Sequence, residues 1–131
     1  MWNNKKGGKI VTRKILIVDD EPNIVLSLEF MMKKEGFEVA VAGDGDAALE
    51  KVASFAPDLV LLDVMMPKKS GYEVCQLLRT DPALGGLKIV MLTAKGRETE
   101  VAKGIALGAD AYVTKPFSTK DLVARVKALL A

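Results

Sequence analysis

The sequence predicts a domain of the α/β class, in which a parallel β-sheet lies between two layers of helices. Two observations support this class. Strand and helix signals alternate five times along the 131 residues, and the strand signals are short apolar runs bounded by turn and helix signals, which is typical of strands buried in a parallel sheet. Right-handed crossovers between successive strands place helices on both faces, so a three-layer α/β/α sandwich is expected.

The predicted elements follow one another in the order (βα)5. The strands are expected at 14–18, 38–42, 59–62, 88–92 and 111–114, and the last of these has the weakest strand signal. The helices are expected at 22–35, 45–55, 71–79, 99–107 and 119–130.

Several helix ends carry recognisable capping residues. Pro22 suits the first position of a helix, and Gly36 suits the left-handed residue that ends one. A serine followed three residues later by an acidic residue has the spacing of a capping box, and this spacing occurs at Ser70 with Glu73 and at Ser118 with Asp121. These residues mark helix boundaries and indicate no chemistry.

Length and composition are those of one globular domain. The chain is 50% hydrophobic and 27% charged, and no apolar stretch approaches the ~20 residues that cross a bilayer. The N-terminus lacks the apolar segment of a secretory signal, and a single cysteine, Cys75, cannot form an internal disulfide. We therefore expect a cytoplasmic protein in which Cys75 is a small buried or half-buried side chain, since the chain has no histidine to activate it.

Basic residues are concentrated at the N-terminus. The formal charge is +2, yet the first 14 residues carry five basic side chains and no acidic one. Without these five, 14 basic residues face 17 acidic ones, a net charge of −3. Residues 1–13 are expected to form a disordered basic leader, with the folded domain at 14–131. A nucleic-acid-binding arm is the alternative, but Trp2 is the only aromatic residue of the leader, so no direct nucleic acid binding is expected.

Polar residues stand where four of the predicted strands end. Asp19 and Asp20 follow KILIV, Asp63 follows LVLL, Thr93 follows KIVML and Lys115 follows AYVT. Parallel sheets bind ligands outside the carboxyl ends of their strands. One edge of the sheet is therefore expected to gather three carboxylates, a hydroxyl and an ammonium group.

Three carboxylates held close together repel one another unless a cation offsets their charge. Oxygen ligands of this kind suit Mg²⁺, which binds few protein carboxylates and keeps waters that a phosphate can replace. The alternative for Asp19, Asp20 and Glu21 is that they only favour the N-terminus of the first helix. Asp63 is harder to explain in this way, because it would end a buried strand, where a carboxylate needs a partner.

With a metal offsetting its charge, Asp63 can act as a nucleophile toward phosphorus and form an aspartyl phosphate. Lys115 would then pair with phosphoryl oxygens, and Thr93 would donate a hydrogen bond. Taken singly, Lys115 also fits a surface position and Thr93 a simple strand end.

Taken together, these positions and their flanks resemble the receiver domain of two-component response regulators. The segments that carry the resemblance are ILIVDDEPN, DLVLLDVMMPKKSGYEV, IVMLTA and GADAYVTKPFSTKDLVARV, and the match covers residues 14–131. Within the family, the chain is similar to chemotaxis regulators and to receivers that precede winged-helix DNA-binding domains. The resemblance implies a flavodoxin-like fold whose five-stranded parallel sheet has the order 2-1-3-4-5.

The resemblance also implies a phosphorylation-activated signalling switch. Asp63 would accept a phosphoryl group from the phosphohistidine of a sensor histidine kinase or phosphotransfer protein. Mg²⁺ would be bound by Asp20, Asp63 and the backbone carbonyl of Met65, with Asp19 assisting through water. Such a chain is a phosphoacceptor regulator and not an enzyme in the usual sense, although it catalyses its own phosphorylation and a slow autodephosphorylation.

By the same resemblance, Thr93 and Tyr112 form the switch. The hydroxyl moves toward the phosphoryl group and the aromatic ring turns inward, so that the face around the fourth helix, the fifth strand and the fifth helix binds a downstream output protein or domain. The bond between Lys115 and Pro116 resembles a cis peptide of the family, so the resemblance implies that it is cis. A phosphorylation-dependent homodimer is an arrangement that the sequence leaves open.

Two further sets of positions concern the rate of self-dephosphorylation and the choice of kinase. Met65 and Lys95 match positions that flank the path of the attacking water in this family. Because Met65 offers no side-chain oxygen or amide to orient that water, self-dephosphorylation is expected to be slow. Contacts with the kinase are expected from residues of the first helix such as Asn23, Ser27 and Met31.

Three other classes of protein share parts of this pattern. A phosphohydrolase of the haloacid-dehalogenase type uses the same nucleophile and metal, but it needs a second acid where Met65 stands. A flavodoxin-like electron carrier needs a Ser/Thr/Gly-rich phosphate loop after the first strand, where acidic residues stand instead. A receiver-like interaction module that is not phosphorylated is the third, and the complete set of site residues argues against it. No membrane partner is expected.

Overall fold

The computed structural model describes residues 12–94, 105 and 107–131, together with the backbone at 5–6 and 9–10. Five strands form a parallel sheet in which the second strand lies at one edge and the fifth at the other, the order 2-1-3-4-5 expected above. The strands are β1 (Lys14–Val18), β2 (Glu38–Ala42), β3 (Leu59–Asp63), β4 (Lys88–Ala94) and β5 (Ala111–Lys115).

Four helices are described, and each begins at the predicted residue. They are α1 (Pro22–Lys34), α2 (Gly45–Phe55), α3 (Gly71–Arg79) and the last helix (Thr119–Leu130), with a short 3₁₀ turn at Pro82–Leu84. Helix α1 ends one residue earlier than predicted, because Glu35 has left helical geometry (ψ 1°) and Gly36 adopts a left-handed φ of +92°. The predicted helix over 99–107 lies almost wholly outside the described residues.

Three strands run past the end of their apolar sequence. Asp63 pairs with Leu92, Thr93 with Thr114, and Ala94 with Lys115 in the ladder. The apolar pattern ends earlier because Asp63, Thr93 and Lys115 have polar side chains, although their backbones still pair in the ladder. The polar residues at this edge are therefore held by the sheet itself.

Side chains on the two faces of the sheet form two separate cores. One face packs against α2 and α3, and its buried residues include Leu16, Val18, Val60, Ala48, Val52, Val74, Cys75 and Leu78. The other packs against α1 and the last helix, and its buried residues include Ile15, Ile17, Leu61, Leu28, Met32, Leu122 and Val126. Cys75 is a free, buried thiol, as the sequence predicts. The three-layer sandwich is confirmed.

Capping residues act where the sequence places them. Ser70 and Glu73 form a capping box at the start of α3, and the Ser118 hydroxyl accepts from the backbone N–H of Asp121. Gly71 allows a close approach, because a Cβ there would lie 2.3 Å from the carbonyl oxygen of Asp63. Glycine at this position lets α3 begin directly against the end of β3.

Within the predicted leader, the structure describes two short strands, Lys5–Lys6 and Lys9–Ile10, that pair antiparallel. Two paired strands by themselves are marginally stable in water at best. The extent and disorder of the leader stay predictions.

Candidate functional site

The carboxyl edge of the sheet carries the polar residues singled out by the sequence. Asp19 follows β1, Asp63 ends β3, Thr93 lies near the end of β4 and Lys115 ends β5. Asp19, Asp63 and Thr93 are buried, with residue exposures of 1%, 5% and 2%. Because the strands are parallel and adjacent, their ends meet at one edge and bring residues up to 96 positions apart into contact.

Three carboxylates lie close together at this edge. One oxygen from each of Asp19, Asp20 and Asp63 lies within 4.8 Å of the other two. Asp20 is exposed, whereas both oxygens of Asp19 are engaged: Oδ1 accepts from the backbone N–H of Glu21 at 2.9 Å, and Oδ2 accepts from Lys115 Nζ at 2.8 Å. This set of oxygen donors can hold a metal ion.

Among the described residues, Lys115 is the cation that contacts the cluster. Its Nζ lies 2.8 Å from Asp19 Oδ2, 3.4 Å from Glu21 Oε1 and 3.5 Å from Asp63 Oδ1. Burial acts to lower the pKa of Lys115, but the hydrogen bond to Asp19 and the nearby acidic charges outweigh it, so the pKa is raised and the ammonium stays charged. The bond between Lys115 and Pro116 is cis, as the sequence predicts.

Asp63 has the most perturbed environment of these acids. Burial, with the charge of Asp19 next in size, raises its pKa from 3.8 to about 6. Lys115 and the backbone N–H of Met65, which lies 3.3 Å from Asp63 Oδ1, oppose this rise but do not cancel it. Counting only the part of the chain that the structure describes, the cluster is therefore short of positive charge, which is the condition under which a carboxylate group gains from binding a cation.

Thr93 carries a buried hydroxyl whose Oγ1 has no hydrogen-bond partner among the described residues. A buried polar atom without a partner costs free energy, because it has lost its contacts with water. Thr93 follows Leu92, which pairs with Asp63 across β3 and β4. The hydroxyl is thus an unused donor on the strand next to the candidate nucleophile.

Tyr112 lies on β5, half-buried against the core that faces α2 and α3. Its backbone carbonyl accepts from Arg125 of the last helix at 3.3 Å. Met65 stands two residues after Asp63 with a side chain that is 59% exposed. Lys95 lies outside the described residues.

The expectation that Met31 contacts a kinase is wrong. Met31 is only 6% exposed and packs in the core between α1 and the sheet. The other two expected contact residues, Asn23 and Ser27, are exposed. Helical periodicity explains the error, because Leu28 and Met32 face the core, and Met31 is adjacent to both on that face.

Sequence reasoning also missed two groups of contacts near the site. The sequence pattern indicates Glu21 only as an acid at the start of a helix, yet its carboxylate reaches Lys115. The loop after Asp63 is tied to the start of α2 by an ion pair between Lys69 Nζ and Asp46 Oδ1 at 2.8 Å. The position of Glu21 next to two aspartates is the one sequence signal for its contact with Lys115. No sequence pattern indicates the contact between Lys69 and Asp46.

The doubly wound parallel sheet with acidic residues at its carboxyl edge places the chain in the flavodoxin-like class. Residues 15–127 match the family model described as the response regulator receiver domain. The chain belongs to this family.

Two similar proteins have names that describe regulators. The chain is 50% identical over 118 residues to the DNA-binding response regulator MtrA of Mycolicibacterium smegmatis, covering 90% of this chain and 50% of that protein. It is 48% identical over 120 residues to the alkaline phosphatase synthesis transcriptional regulatory protein PhoP of Bacillus subtilis, covering 92% and 49%. The chain therefore spans about half the length of these relatives.

Solved structures support the same fold. The receiver domain of the Francisella response regulator 1452 has a TM-score of 0.83 at 30% identity, covering 90% of this chain and 96% of that one. Chemotaxis protein CheY4 of Vibrio cholerae has a TM-score of 0.85 at 29% identity, covering 91% and 99%. In the part of the chain that the structure describes, none of the helices combines the length and apolar character needed to cross a membrane.

Proposed function

We propose that the chain is a phosphorylation-activated switch in which Asp63 accepts a phosphoryl group from the phosphohistidine of a sensor histidine kinase or of a phosphotransfer protein. The observation that carries the proposal is the setting of Asp63. This carboxylate ends a buried strand, lies with Asp19 and Asp20 in one cluster, and has a lysine ammonium 3.5 Å away. Family membership and the names of both relatives support a role in regulation.

The transfer moves one phosphoryl group between two nucleophiles. A carboxylate oxygen of Asp63 attacks phosphorus, the P–N bond to the donor imidazole breaks, and its electron pair remains on the imidazole nitrogen. The contacts that the described residues make with this carboxylate, from Lys115 and from the backbone N–H of Met65, fall on Oδ1, so we assign the attack to Oδ2. The pKa of Asp63 is raised to about 6 but stays below 7, so most of the group is ionised and nucleophilic at pH 7.

Mg²⁺ fits the donors at this edge. Within the described ranges, three carboxylates lie within reach of one another and one ammonium group contacts them, and hard oxygen donors of this kind suit magnesium. We assign Asp20, Asp63 and the backbone carbonyl of Met65 to the metal, and Asp19 to a contact through water, because both Asp19 oxygens already accept hydrogen bonds. When bound, the metal offsets the acidic charge and polarises phosphoryl oxygens.

Lys115 and Thr93 supply the contacts that distinguish the two states of the switch. The Lys115 ammonium forms an ion pair with phosphoryl oxygens. The Thr93 hydroxyl, which has no partner among the described residues, donates a hydrogen bond to the phosphoryl group. Because these contacts exist only with the phosphoryl group in place, they shift the population toward the active conformation. Tyr112, on the strand that Lys115 ends, carries the change to β5 and the last helix, which with the predicted helix over 99–107 form the output face.

Helix α1 is the surface assigned to the kinase or phosphotransfer protein. Leu26 and Phe30 are 64% and 71% exposed there, with Asn23 and Ser27 exposed on the same helix. Large apolar side chains are commonly buried when partners dock. Because α1 starts two residues after Asp20, a donor docked on it has its phosphohistidine near Asp63.

The proposal also covers the output partner, the cellular compartment of the protein and the rate at which the phosphoryl group is lost. The names of the two relatives mention DNA binding and transcriptional regulation, so we assign output to a further domain or a separate protein, with phosphorylation-dependent dimerisation as the coupling step. A reduced, buried Cys75 suits the cytoplasm. Slow loss of phosphate follows from Met65, whose thioether cannot orient an attacking water as an amide would.

Acetyl phosphate with Mg²⁺, followed by intact mass measurement, tests the proposal. We expect one phosphoryl adduct that disappears in Asp63→Asn and after chelation of the metal. Asp81→Asn is the matched control: Asp81 is exposed, and its cap on the N–H of Ala83 can be made equally by asparagine. An adduct that persists in Asp63→Asn contradicts the proposal, and the absence of any adduct supports an interaction module that is not phosphorylated.

A further inference from the structure

Glu21 holds the ammonium group of Lys115 together with Asp19. The contacts at 2.8 Å to Asp19 Oδ2 and 3.4 Å to Glu21 Oε1 are hydrogen bonds, whereas Asp63 Oδ1 at 3.5 Å forms an ion pair only. The ammonium is therefore held mainly by the two acids that precede α1. In the proposed reaction it has to serve a phosphoryl group on Asp63 instead.

The Glu21 side chain has no part in capping α1. Glu21 is the N-cap residue of that helix, but its side chain makes no capping hydrogen bond. Its backbone N–H donates to Asp19 Oδ1 at 2.9 Å, which fixes the turn between β1 and α1. The carboxylate is left to reach Lys115 from the solvent side, with 61% of its side-chain surface exposed.

We propose that Glu21 is a positioning residue that restrains Lys115 in the unphosphorylated state and so limits how readily Asp63 takes up a phosphoryl group. This inference rests on the proposed function. An ammonium ion has three N–H donors. Asp19 and Glu21 take two of them, which leaves one for a phosphoryl group that carries several acceptor oxygens.

The charge of Glu21 acts in the same direction as its contact. A carboxylate beside Lys115 repels the phosphoryl oxygens that approach that ammonium. For the metal the effect is reversed, because an additional negative charge near the acidic cluster favours a divalent cation. Loss of Glu21 should therefore strengthen binding of a phosphoryl group and weaken binding of Mg²⁺, a pair of opposite changes that general damage to the fold does not produce.

Beryllofluoride, a mimic of the phosphoryl group, tests this inference in the intact chain. Its affinity at saturating Mg²⁺, and the affinity for Mg²⁺ alone, are measured by calorimetry for wild type, Glu21→Gln and Glu21→Asp. Glu50→Gln is the matched control, since Glu50 is an exposed carboxylate on α2 with no ion pair among the described residues. Circular dichroism and thermal unfolding establish that each variant is folded.

We expect Glu21→Gln to bind beryllofluoride about two- to fivefold more tightly, the range for an exposed ion pair, and Mg²⁺ more weakly. Glu21→Asp keeps the charge, but its shorter side chain caps α1 and releases Lys115. It should therefore gain affinity for beryllofluoride while Mg²⁺ binding stays unchanged. Glu50→Gln should match wild type in both measurements.

Two results overturn the inference. One is a beryllofluoride affinity in the Glu21 variants that equals or falls below that of wild type, and the other is an equal gain in Glu50→Gln, which would make the effect one of net charge. If wild type itself takes up neither beryllofluoride nor phosphoryl from acetyl phosphate, the proposed function fails and this inference fails with it. If wild type takes them up and the Glu21 variants do not differ from it, the inference fails alone.

Discussion

Replacing Asp63 with asparagine is expected to stabilise the fold at neutral pH when no divalent cation is present. Burial and the charge of Asp19 raise the pKa of Asp63 from 3.8 to about 6 in the folded protein. The folded state then binds this proton more tightly than the unfolded state does. The contribution of Asp63 to stability is therefore greatest below pH 4 and is lost as the pH rises through 6.

The size of the effect follows from the shift in pKa. At 1.36 kcal/mol per unit, a rise of about two units corresponds to roughly 3 kcal/mol of lost stability once the group is fully ionised. Asparagine cannot ionise, yet its oxygen can still accept from the backbone N–H of Met65. The free energy of unfolding of Asp63→Asn should thus exceed that of wild type by up to about 3 kcal/mol at pH 7.5, and the difference should shrink toward pH 4.

Urea unfolding in the presence of a chelator, at pH 4.5, 6 and 7.5, measures this difference. Asp81→Asn, an exposed substitution of the same kind, should follow wild type at every pH. Added Mg²⁺ should stabilise wild type, by about 1.4 kcal/mol at ten times its dissociation constant, and should stabilise Asp63→Asn much less. If the variant is no more stable than wild type at pH 7.5, or if the difference does not grow with pH, the buried charge of Asp63 does not destabilise the fold.

Three further substitutions test other parts of the site. Gly71→Ala should lower the free energy of unfolding in urea by about 1–3 kcal/mol and slow phosphoryl uptake, because the added Cβ would lie 2.3 Å from the Asp63 carbonyl oxygen. Gly86→Ala is the control, since a Cβ there meets open space. Equal stability of the two variants would contradict the expected clash at Gly71. Thr93→Val removes a hydroxyl that has no partner among the described residues, so the free energy of unfolding should stay equal or rise. Beryllofluoride should induce smaller NMR shift changes on β5 in this variant than in wild type, and shift changes as large as those of wild type would exclude Thr93 from the switch. Met65→Asn should speed phosphate loss measured by intact mass over time, and an unaltered rate would count against Met65 as its cause.

The sequence predicts which polar residues meet at one edge of the sheet, because these residues end strands of one parallel sheet. Asp19, Asp63 and Lys115 are far apart in the chain, but each follows an apolar run, and parallel strands bring such ends to a common edge. Strand order came from the family resemblance and not from the apolar pattern. The apolar runs also gave strand ends one or two residues too early, since Asp63, Ala94 and Lys115 still pair in the ladder.

Contacts made by flexible side chains could not be predicted in this way. Glu21 and Lys115 are separated by 94 residues, and the reach of a glutamate depends on a rotamer that no sequence pattern encodes. The same holds for Lys69 and Asp46, which join the loop after Asp63 to the start of α2. The burial of Met31 was missed because α1 buries a wider stripe than its most regular apolar positions indicate.

The most direct test of the account is to locate the phosphoryl group chemically. Borohydride reduces an acyl phosphate of aspartate to homoserine, so peptide mass mapping after treatment with acetyl phosphate and then borohydride identifies the residue that was modified. We predict homoserine at position 63 when Mg²⁺ is present and none when the metal is chelated. Homoserine at position 19 or 20, or at position 63 regardless of the metal, would contradict the claim that a cation held by the acidic cluster allows Asp63 to accept the phosphoryl group.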